Sequence, residues 1–153
     1  MLDAPCGDFH WMKEIQLGDV EYIGVDIVSD AIEKAKKTYS TYLRTFRLID
    51  IIEDELPRVD LIFCRDALVH FPYREVRLTL MNFKRSGSAY LLTTTFPRHV
   101  NTDVKYMSLW RPLNLEAAPF NFPKPLLILN ENCPERDYVD KSLALWRTED
   151  LPA

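Results

Sequence analysis

Segments with the pattern of buried strands alternate with helical segments through the first two-thirds of this 153-residue chain. The apolar, β-rich runs that predict strands are Val20–Ile27, Leu43–Ile51, Val59–Cys64 and Ser88–Phe96. Helical patterns fill the intervals at Ser29–Tyr42, where Asp30 and Glu33 form a capping signature, and at Pro72–Lys84, which has proline in its first turn. Because this alternation buries a sheet between two layers of helices, the sequence predicts an α/β three-layer sandwich with a mostly parallel sheet.

The last third of the chain has a different character. Residues 97–125 contain five prolines, and the aromatic residues between them are Tyr106, Trp110, Phe120 and Phe122. We expect an irregular excursion here, which is either a candidate substrate lid or a small aromatic cluster. Two more strands, Leu126–Asn130 and Leu143–Trp146, follow. The polar stretch Glu131–Lys141 between them predicts a hairpin at the edge of the sheet.

Composition narrows the classes of function. The length predicts one domain over residues 1–153, and a net charge of −4 with no long basic run argues against nucleic acid as the partner. Cys6, Cys64 and Cys133 are widely spaced and odd in number, so we expect a reducing compartment and neither a disulfide framework nor a metal site. The sequence shows no signal-peptide core and no apolar run of about 20 residues, so we expect a cytoplasmic protein without a membrane partner. It leaves the oligomeric state open.

Three acidic residues fall at the ends of consecutive predicted strands. Asp3 opens a tight turn that contains Gly7, Asp26 ends the next strand, and Asp50 ends the one after. The carboxyl ends of parallel strands form the ligand crevice of such sheets, and a carboxylate there can accept both hydroxyl protons of a ribose. We therefore expect Asp26 to bind a ribose and Asp50 an adenine amino group. Ile27 and Ile51 are expected to sandwich the purine ring.

These segments resemble the motifs of class I S-adenosylmethionine-dependent methyltransferases. The resembling segments, in chain order, are LDAPCGDF, IGVDI, LIDI, VDLIFCRDALVHFP, SAYLLTTTF and the two closing strands. The resemblance implies a seven-stranded sheet of order 3-2-1-4-5-7-6 with the last strand antiparallel, and S-adenosyl-L-methionine (SAM) as cofactor. The cofactor-binding residues that it implies, together with those derived above, are Asp3, Ala4, Pro5, Gly7, Phe9, Trp11, Asp26, Ile27, Asp50, Ile51, Cys64, Arg65 and Asp66.

The chain departs from the family pattern at its start. Of three glycines usual in the first turn only Gly7 is present, because Pro5 and Phe9 stand at the outer positions. We expect Pro5 to stiffen the turn, Phe9 to pack over the cofactor, and a helix to begin near Trp11. Only Met1 and Leu2 precede the turn, so the first strand is expected to be truncated. We also expect the chain to be marginally stable, and a form extended upstream to be more stable.

Several roles have an alternative interpretation. His70 is either a candidate general base or simply a histidine at a helix entry. Arg65 and Asp66 either pair with each other, or Asp66 binds the amino group of the cofactor. Cys6 and Cys64 fit small buried residues better than nucleophiles. The chain lacks an Asn-Pro-Pro-Tyr signature and a cysteine that matches cytosine methylation, which leaves a small-molecule acceptor as the default.

The sequence supports three functions. The first is methyl transfer from SAM to an unidentified acceptor. The second is a non-catalytic binding module, a degenerate form of the same fold, which the loss of glycines favours. The third, a nicotinamide-dependent oxidoreductase, is disfavoured because G-x-G-x-x-G is absent and the chain closes with a reversed hairpin.

Overall fold

The computed structural model describes residues 1–152. Within this range the strands are β1 (Leu2–Asp3), β2 (Tyr22–Asp26), β3 (Arg44–Leu48), β4 (Leu61–Cys64), β5 (Tyr90–Thr95), β6 (Leu127–Asn130) and β7 (Ser142–Arg147). The α-helices of the described residues are α1 (Ser29–Tyr39) and α2 (Tyr73–Arg85). Each predicted strand is present, and most are shorter at their ends than the apolar runs that predicted them.

The strands form one sheet in the order β3-β2-β1-β4-β5-β7-β6, which confirms the predicted topology. The short β1 is central: Leu2 lies opposite Ile23 of β2 and opposite Ile62 of β4, and both pairings are parallel. β7 runs antiparallel to both β5 and β6. β1 comprises two residues, Leu2 and Asp3.

Helix α1 begins at Ser29 as predicted, but its capping and its last residue differ from the prediction. The residue that precedes it is Val28, and among the described residues no side chain caps it, so the predicted cap by Asp30 is wrong. The amide of Val28 instead donates to Oδ1 of Asp26 at 2.9 Å. The helix ends at Tyr39 because Ser40 is extended and Thr41 turns back to pair with Arg44.

The helix expected near Trp11 is replaced by a single 3₁₀ turn, Met12–Glu14. Phe9 has a φ of +60°, a left-handed conformation that interrupts any continuous helix out of the turn. Ile15 is extended directly after the 3₁₀ turn. The connection from β1 to β2 is therefore mostly irregular within the described residues.

Apolar clusters cover the two faces of the sheet, because successive residues of each strand point to opposite sides. The larger cluster lies under α2 and includes Phe83, Trp146 and Leu91. The smaller lies under α1 and includes Phe9, Tyr22, Phe46 and Ile32. No helix in the described part of the chain is both long and apolar enough to span a membrane.

Residues 97–125 hold neither helix nor strand, as expected of an irregular excursion. The segment is nevertheless well packed, because Leu113, Leu115, Phe120 and Phe122 are buried in the larger cluster. The expectation of a small separate aromatic cluster is therefore wrong for Phe120 and Phe122. These residues anchor the segment to the sheet.

Candidate functional site

A cleft of about 420 Å³ lies at the carboxyl ends of β1, β2 and β3, where parallel strands present their loops at one edge. The start of α2 and the excursion close its other side. The residues that line it are Pro5, Asp26, Ile27, Ile49, Asp50, Ile51, Ile52, Glu53, Phe71, Arg74, Glu75, Leu78 and Met107. Five of the residues predicted from the sequence are therefore brought together here: Pro5, Asp26, Ile27, Asp50 and Ile51.

Asp26 is held in place by backbone amides on both sides. Its Oδ2 accepts a hydrogen bond from the amide of Gly7, and its Oδ1 accepts one from the amide of Val28, each at 2.9 Å. The residue is 7% exposed, and it lines the cleft. Because a carboxylate has about four acceptor positions, each oxygen keeps a lone pair for a ligand hydroxyl.

Asp50 shapes the loop after β3. Its Oδ1 accepts from the amide of Ile52 at 2.8 Å, and its own amide donates to Oδ2 of Asp54 at 2.7 Å. Within residues 1–152, Oδ2 of Asp50 accepts no hydrogen bond. One carboxylate oxygen is thus free to accept from an amino group in the cleft.

The turn after β1 leaves room for a ligand above Gly7. Gly7 has a φ of +54°, the left-handed region that favours glycine, and a Cβ added there would meet nothing within 4 Å. Pro5 lines the cleft beside it. Ala4 does not, since its side chain is buried in the larger cluster. A ligand can therefore approach the backbone at Gly7.

Phe9 lies in the core rather than over the cleft. Its side chain is fully buried, and its ring centroid lies 5.2 Å from those of Tyr22, Tyr39 and Phe46. The expectation that Phe9 packs over a ligand is therefore corrected, because its positive φ turns the ring under the sheet face that α1 covers.

Asp3 is also internal. It is 3% exposed, and its Oδ2 accepts from the hydroxyl of Tyr22 at 2.5 Å. Burial raises the pKa of Asp3 to about 7; the bond from Tyr22 opposes this in part, and the negative charge of Asp26 adds to it. Asp3 therefore supports the turn from below rather than lining the cleft.

The cysteines on β4 and in the turn are buried thiols. Cys64 is fully buried, and burial raises its pKa to about 12. Burial likewise raises the pKa of Cys6 to about 12. Both therefore remain protonated at neutral pH, which agrees with small core residues and not with nucleophiles.

The residues after β4 form a network of opposite charges. Arg65 donates from Nε to Oε1 of Glu131 at 2.7 Å, and its Nη1 lies 3.5 Å from Oδ2 of Asp66, the first of the two arrangements considered for this pair. Lys141 Nζ binds Oδ2 of Asp66 at 2.7 Å and lies 3.5 Å from Oε2 of Glu131. Trp11, which packs on Phe63 of β4, lies under the guanidinium of Arg65.

A second cavity, of about 450 Å³, lies beyond this network at the ends of β4 and β5. Its lining residues are Asp66, His70, Phe96, Trp110, Cys133, Glu135, Tyr138 and Lys141. His70 lines this cavity, while the next residue, Phe71, lines the cleft. The turn before α2 therefore separates the two spaces by one residue.

One guanidinium fixes that turn. Arg111 is 5% exposed and donates to the carbonyls of Leu68 at 2.9 Å and Phe71 at 2.6 Å. It also donates to the carbonyl of Thr102 at 3.1 Å. Burial lowers the pKa of Arg111, an effect that Tyr73 opposes. The excursion is thereby tied to the wall between the cleft and the second cavity.

Sequence reasoning missed several of these residues. Phe71, Met107 and Arg74 line the cleft, and Tyr138 and Lys141 line the second cavity. They come from the turn before α2, from α2, from the excursion and from the link between β6 and β7, and of these residues only Phe71 falls within a motif quoted above, VDLIFCRDALVHFP. The polar composition of Glu131–Lys141 and the aromatic residues of 97–125 were the available signals.

No family model and no curated protein matches the chain. Solved structures do. Human N-acetylserotonin methyltransferase in complex with SAM aligns with a TM-score of 0.69 at 15% identity, over 96% of this chain and 46% of that one. The N-methyltransferase NodS from Bradyrhizobium japonicum WM9 aligns with a TM-score of 0.68 at 13% identity, over 99% of this chain and 85% of that one.

Magnesium protoporphyrin IX methyltransferase from Synechocystis PCC 6803 with bound SAM aligns with a TM-score of 0.60 at 18% identity, over 95% of this chain and 68% of that one. The chain spans less than half the length of several of its structural neighbours. Together with the strand order, these alignments show that the chain has the fold of the class I SAM-dependent methyltransferases.

Proposed function

We propose that the chain is a SAM-dependent methyltransferase domain, spanning residues 1–153, that binds its cofactor in the cleft. The observation that carries the proposal is the joint presence in one cleft of Asp26, with acceptor capacity left on both oxygens, and Asp50, with one free oxygen. Structural neighbours bound to SAM or S-adenosylhomocysteine (SAH) support it.

The cleft fits the adenosine half of the cofactor in chemistry. Asp26 would accept from the ribose hydroxyls and Asp50 from the adenine amino group, while Ile27 and Ile51 supply apolar surface for the purine. The open space over Gly7 lets the ligand approach the backbone there. The methionine end carries one ammonium and one carboxylate, and the network of Arg65 and Asp66 with its partners offers groups of both signs.

When bound, SAM supplies a methyl group that its positive sulfur has already activated. The contribution of the chain is to align an acceptor with that group and to exclude water, for which proximity and orientation supply roughly 7–11 kcal/mol. His70, in the wall of the second cavity, is the candidate base for an acceptor that arrives protonated.

The second cavity is the proposed acceptor site. Its volume of about 450 Å³ suits a small molecule. The net charge of −4 opposes a nucleic-acid acceptor, and the free cysteines agree with a cytoplasmic location. Trp110 brings the excursion into this wall, the place that a substrate lid would occupy.

A second candidate function is a non-catalytic binding module. One observation in its favour is that Pro5 and Phe9 occupy two positions where the family usually has glycine. Another is that the carboxylate of Asp66 forms an ion pair with Lys141 and is therefore less available to a cofactor. In this alternative the fold persists without cofactor affinity.

Calorimetric titration of the folded chain with SAH separates the two functions, with NAD⁺ as the control nucleotide. The proposal predicts one site for SAH and a far weaker response to NAD⁺. A folded chain that binds neither ligand supports the non-catalytic module. Preference for NAD⁺ would revive the oxidoreductase alternative.

A further inference from the structure

Three aromatic rings build one corner of the second cavity. The ring of Trp110 lies 4.8 Å from that of Tyr138 and 5.8 Å from that of Phe96, and Phe96 lies 6.0 Å from Tyr138. All three pairs are close to perpendicular, with interplanar angles of 77°, 85° and 81°. Phe96 is fully buried and forms the base, whereas Trp110 is 41% exposed. The free surface of Trp110 can therefore receive a flat apolar group.

The charged residues that line the same cavity leave a surplus of one negative charge. Asp66 and Glu135 are acidic and Lys141 is basic, with His70 counted as neutral. Lys141 is committed to Asp66 at 2.7 Å, while Glu135 forms no ion pair with any residue in 1–152. Arg65 and Glu131, which complete the network, cancel each other. Glu135 is exposed, so this surplus gives a solvent-screened preference for a cationic over an anionic ligand.

We infer that the second cavity binds an acceptor that carries an amine on a flat, apolar group. This rests on the proposed methyl transfer and specifies its substrate class. The flat group lies against the exposed surface of Trp110, whose ring face also attracts a cation, and the ammonium lies toward Glu135. Neither the aromatic corner nor the negative charge alone selects this class; their presence in one cavity does.

Atoms and charges balance in methyl transfer to such an acceptor when His70 serves as the base. His70 takes one proton from the ammonium, which frees the lone pair of the nitrogen. That pair forms the new bond to the methyl carbon of SAM, the carbon–sulfur bond breaks, and its electrons stay on sulfur. The products are a methylated ammonium, SAH and a proton on His70.

The test uses three probes that share a phenyl group and end in a cationic, a neutral or an anionic group. These are 2-phenylethylamine, 2-phenylethanol and phenylacetate, titrated into the full chain and followed by ligand-observed NMR, with and without saturating SAH. The inference predicts that the amine binds at least about fivefold more tightly than the alcohol, and that phenylacetate binds most weakly. Equal binding of the three probes, or tighter binding of alcohol or carboxylate, overturns it.

Matched variants locate the site. Trp110→Leu should weaken the amine about fivefold or more, whereas Tyr106→Leu, an exposed aromatic residue of the same excursion, should not. Glu135→Gln should reduce the preference for amine over alcohol, whereas Glu55→Gln, remote from the cavity, should not. Unchanged probe binding in both Trp110→Leu and Glu135→Gln overturns the inference.

SAH affinity distinguishes this inference from the proposed function. Both Trp110→Leu and Glu135→Gln should keep the SAH dissociation constant within about twofold, because neither residue lines the cleft. A chain that binds SAH without selecting the amine contradicts the substrate class alone. A chain that selects the amine but never binds SAH supports the binding site and contradicts the proposed methyl transfer.

Discussion

The carboxylate of Asp26 and the amide of Gly7 are joined by a hydrogen bond of 2.9 Å, so the end of β2 is tied to the turn that follows β1. A second bond from Val28 fixes the other oxygen. The carboxylate is thereby aimed before any ligand arrives, which lowers the cost of ordering it on binding. Asp26 consequently has a structural role and a proposed binding role.

Asp26→Asn should therefore affect both ligand binding and folding. We expect SAH affinity to fall at least about tenfold, because the amide group accepts at one atom instead of two. The ligand-free protein should lose about 1–3 kcal/mol of stability, since an amide of the turn or of the α1 start loses its acceptor. Calorimetry and urea denaturation measure the two effects.

Asp19→Asn is the matched control, because Asp19 is an exposed aspartate outside the cleft. It should change neither quantity. If Asp26→Asn lowers stability but keeps full SAH affinity, Asp26 has only a structural role.

Asp3 should make stability depend on pH. Its pKa is raised from 3.8 to about 7 by burial, so the folded state binds this proton more tightly than the unfolded state does. The tighter binding of this proton stabilises the folded state fully below about pH 4. This stabilisation decreases as the pH rises toward 7 and is absent above pH 7. Asp3→Asn should match the parent near pH 4 and be more stable by about 2–4 kcal/mol at pH 8.

Urea midpoints of the parent, Asp3→Asn and the exposed control Asp19→Asn, measured from pH 4 to pH 8, test this dependence. The difference in urea midpoint between the parent and Asp3→Asn should increase as the pH rises from 4 to 7. A gap that is constant with pH would show that Asp3 is ionised throughout.

Gly24 of β2 permits the close packing of Phe46 and Cys6 against this strand. A Cβ at this position would lie 2.7 Å from Cδ1 of Phe46 and 3.0 Å from Sγ of Cys6. Gly24→Ala should cost about 1–3 kcal/mol through overpacking. Combining it with Phe46→Leu should make the pair less destabilising than the sum of the single changes, because the shorter side chain relieves the clash. Strict additivity in a urea double-mutant cycle would argue against this contact.

Substitution of Arg111 should lower both the stability of the chain and its affinity for SAH. Arg111→Lys cannot satisfy the carbonyls of Leu68, Phe71 and Thr102 at once, and we expect a loss of about 3 kcal/mol. Because Phe71 lines the cleft, SAH affinity should also fall. Arg136→Lys, at an exposed site, is the control. Unchanged thermal unfolding in Arg111→Lys would contradict the anchoring role.

The positions of the strands could be predicted from local apolar runs, and their order from the resemblance to the methyltransferase family. Apolar runs that end in Asp26 and Asp50, and a resemblance that fixes their neighbours, suffice to place β1 between β2 and β4. Helix ends were less predictable. The cap assigned to Asp30 is absent: within the described residues no side chain caps α1, and Asp26 accepts instead from the amide of Val28, the residue before the helix.

Side-chain direction in the turn could not be read from spacing. The position of Phe9 depends on a positive φ that a residue with a Cβ seldom adopts, and this places its ring in the core. The second cavity could not be predicted from the sequence either, because Trp110 of the excursion and Tyr138 of the link between β6 and β7 are distant in sequence and meet only in the folded chain. Only the tertiary fold brings such residues together.

The most direct measurement is a crystal structure of the chain with SAH. We expect density for the ligand in the cleft, with ribose hydroxyls on the carboxylate of Asp26 and the adenine between Ile27 and Ile51. Its sulfur should lie toward the second cavity, on the side of His70. Density for SAH elsewhere on the chain, or none in crystals soaked well above the dissociation constant, would contradict it.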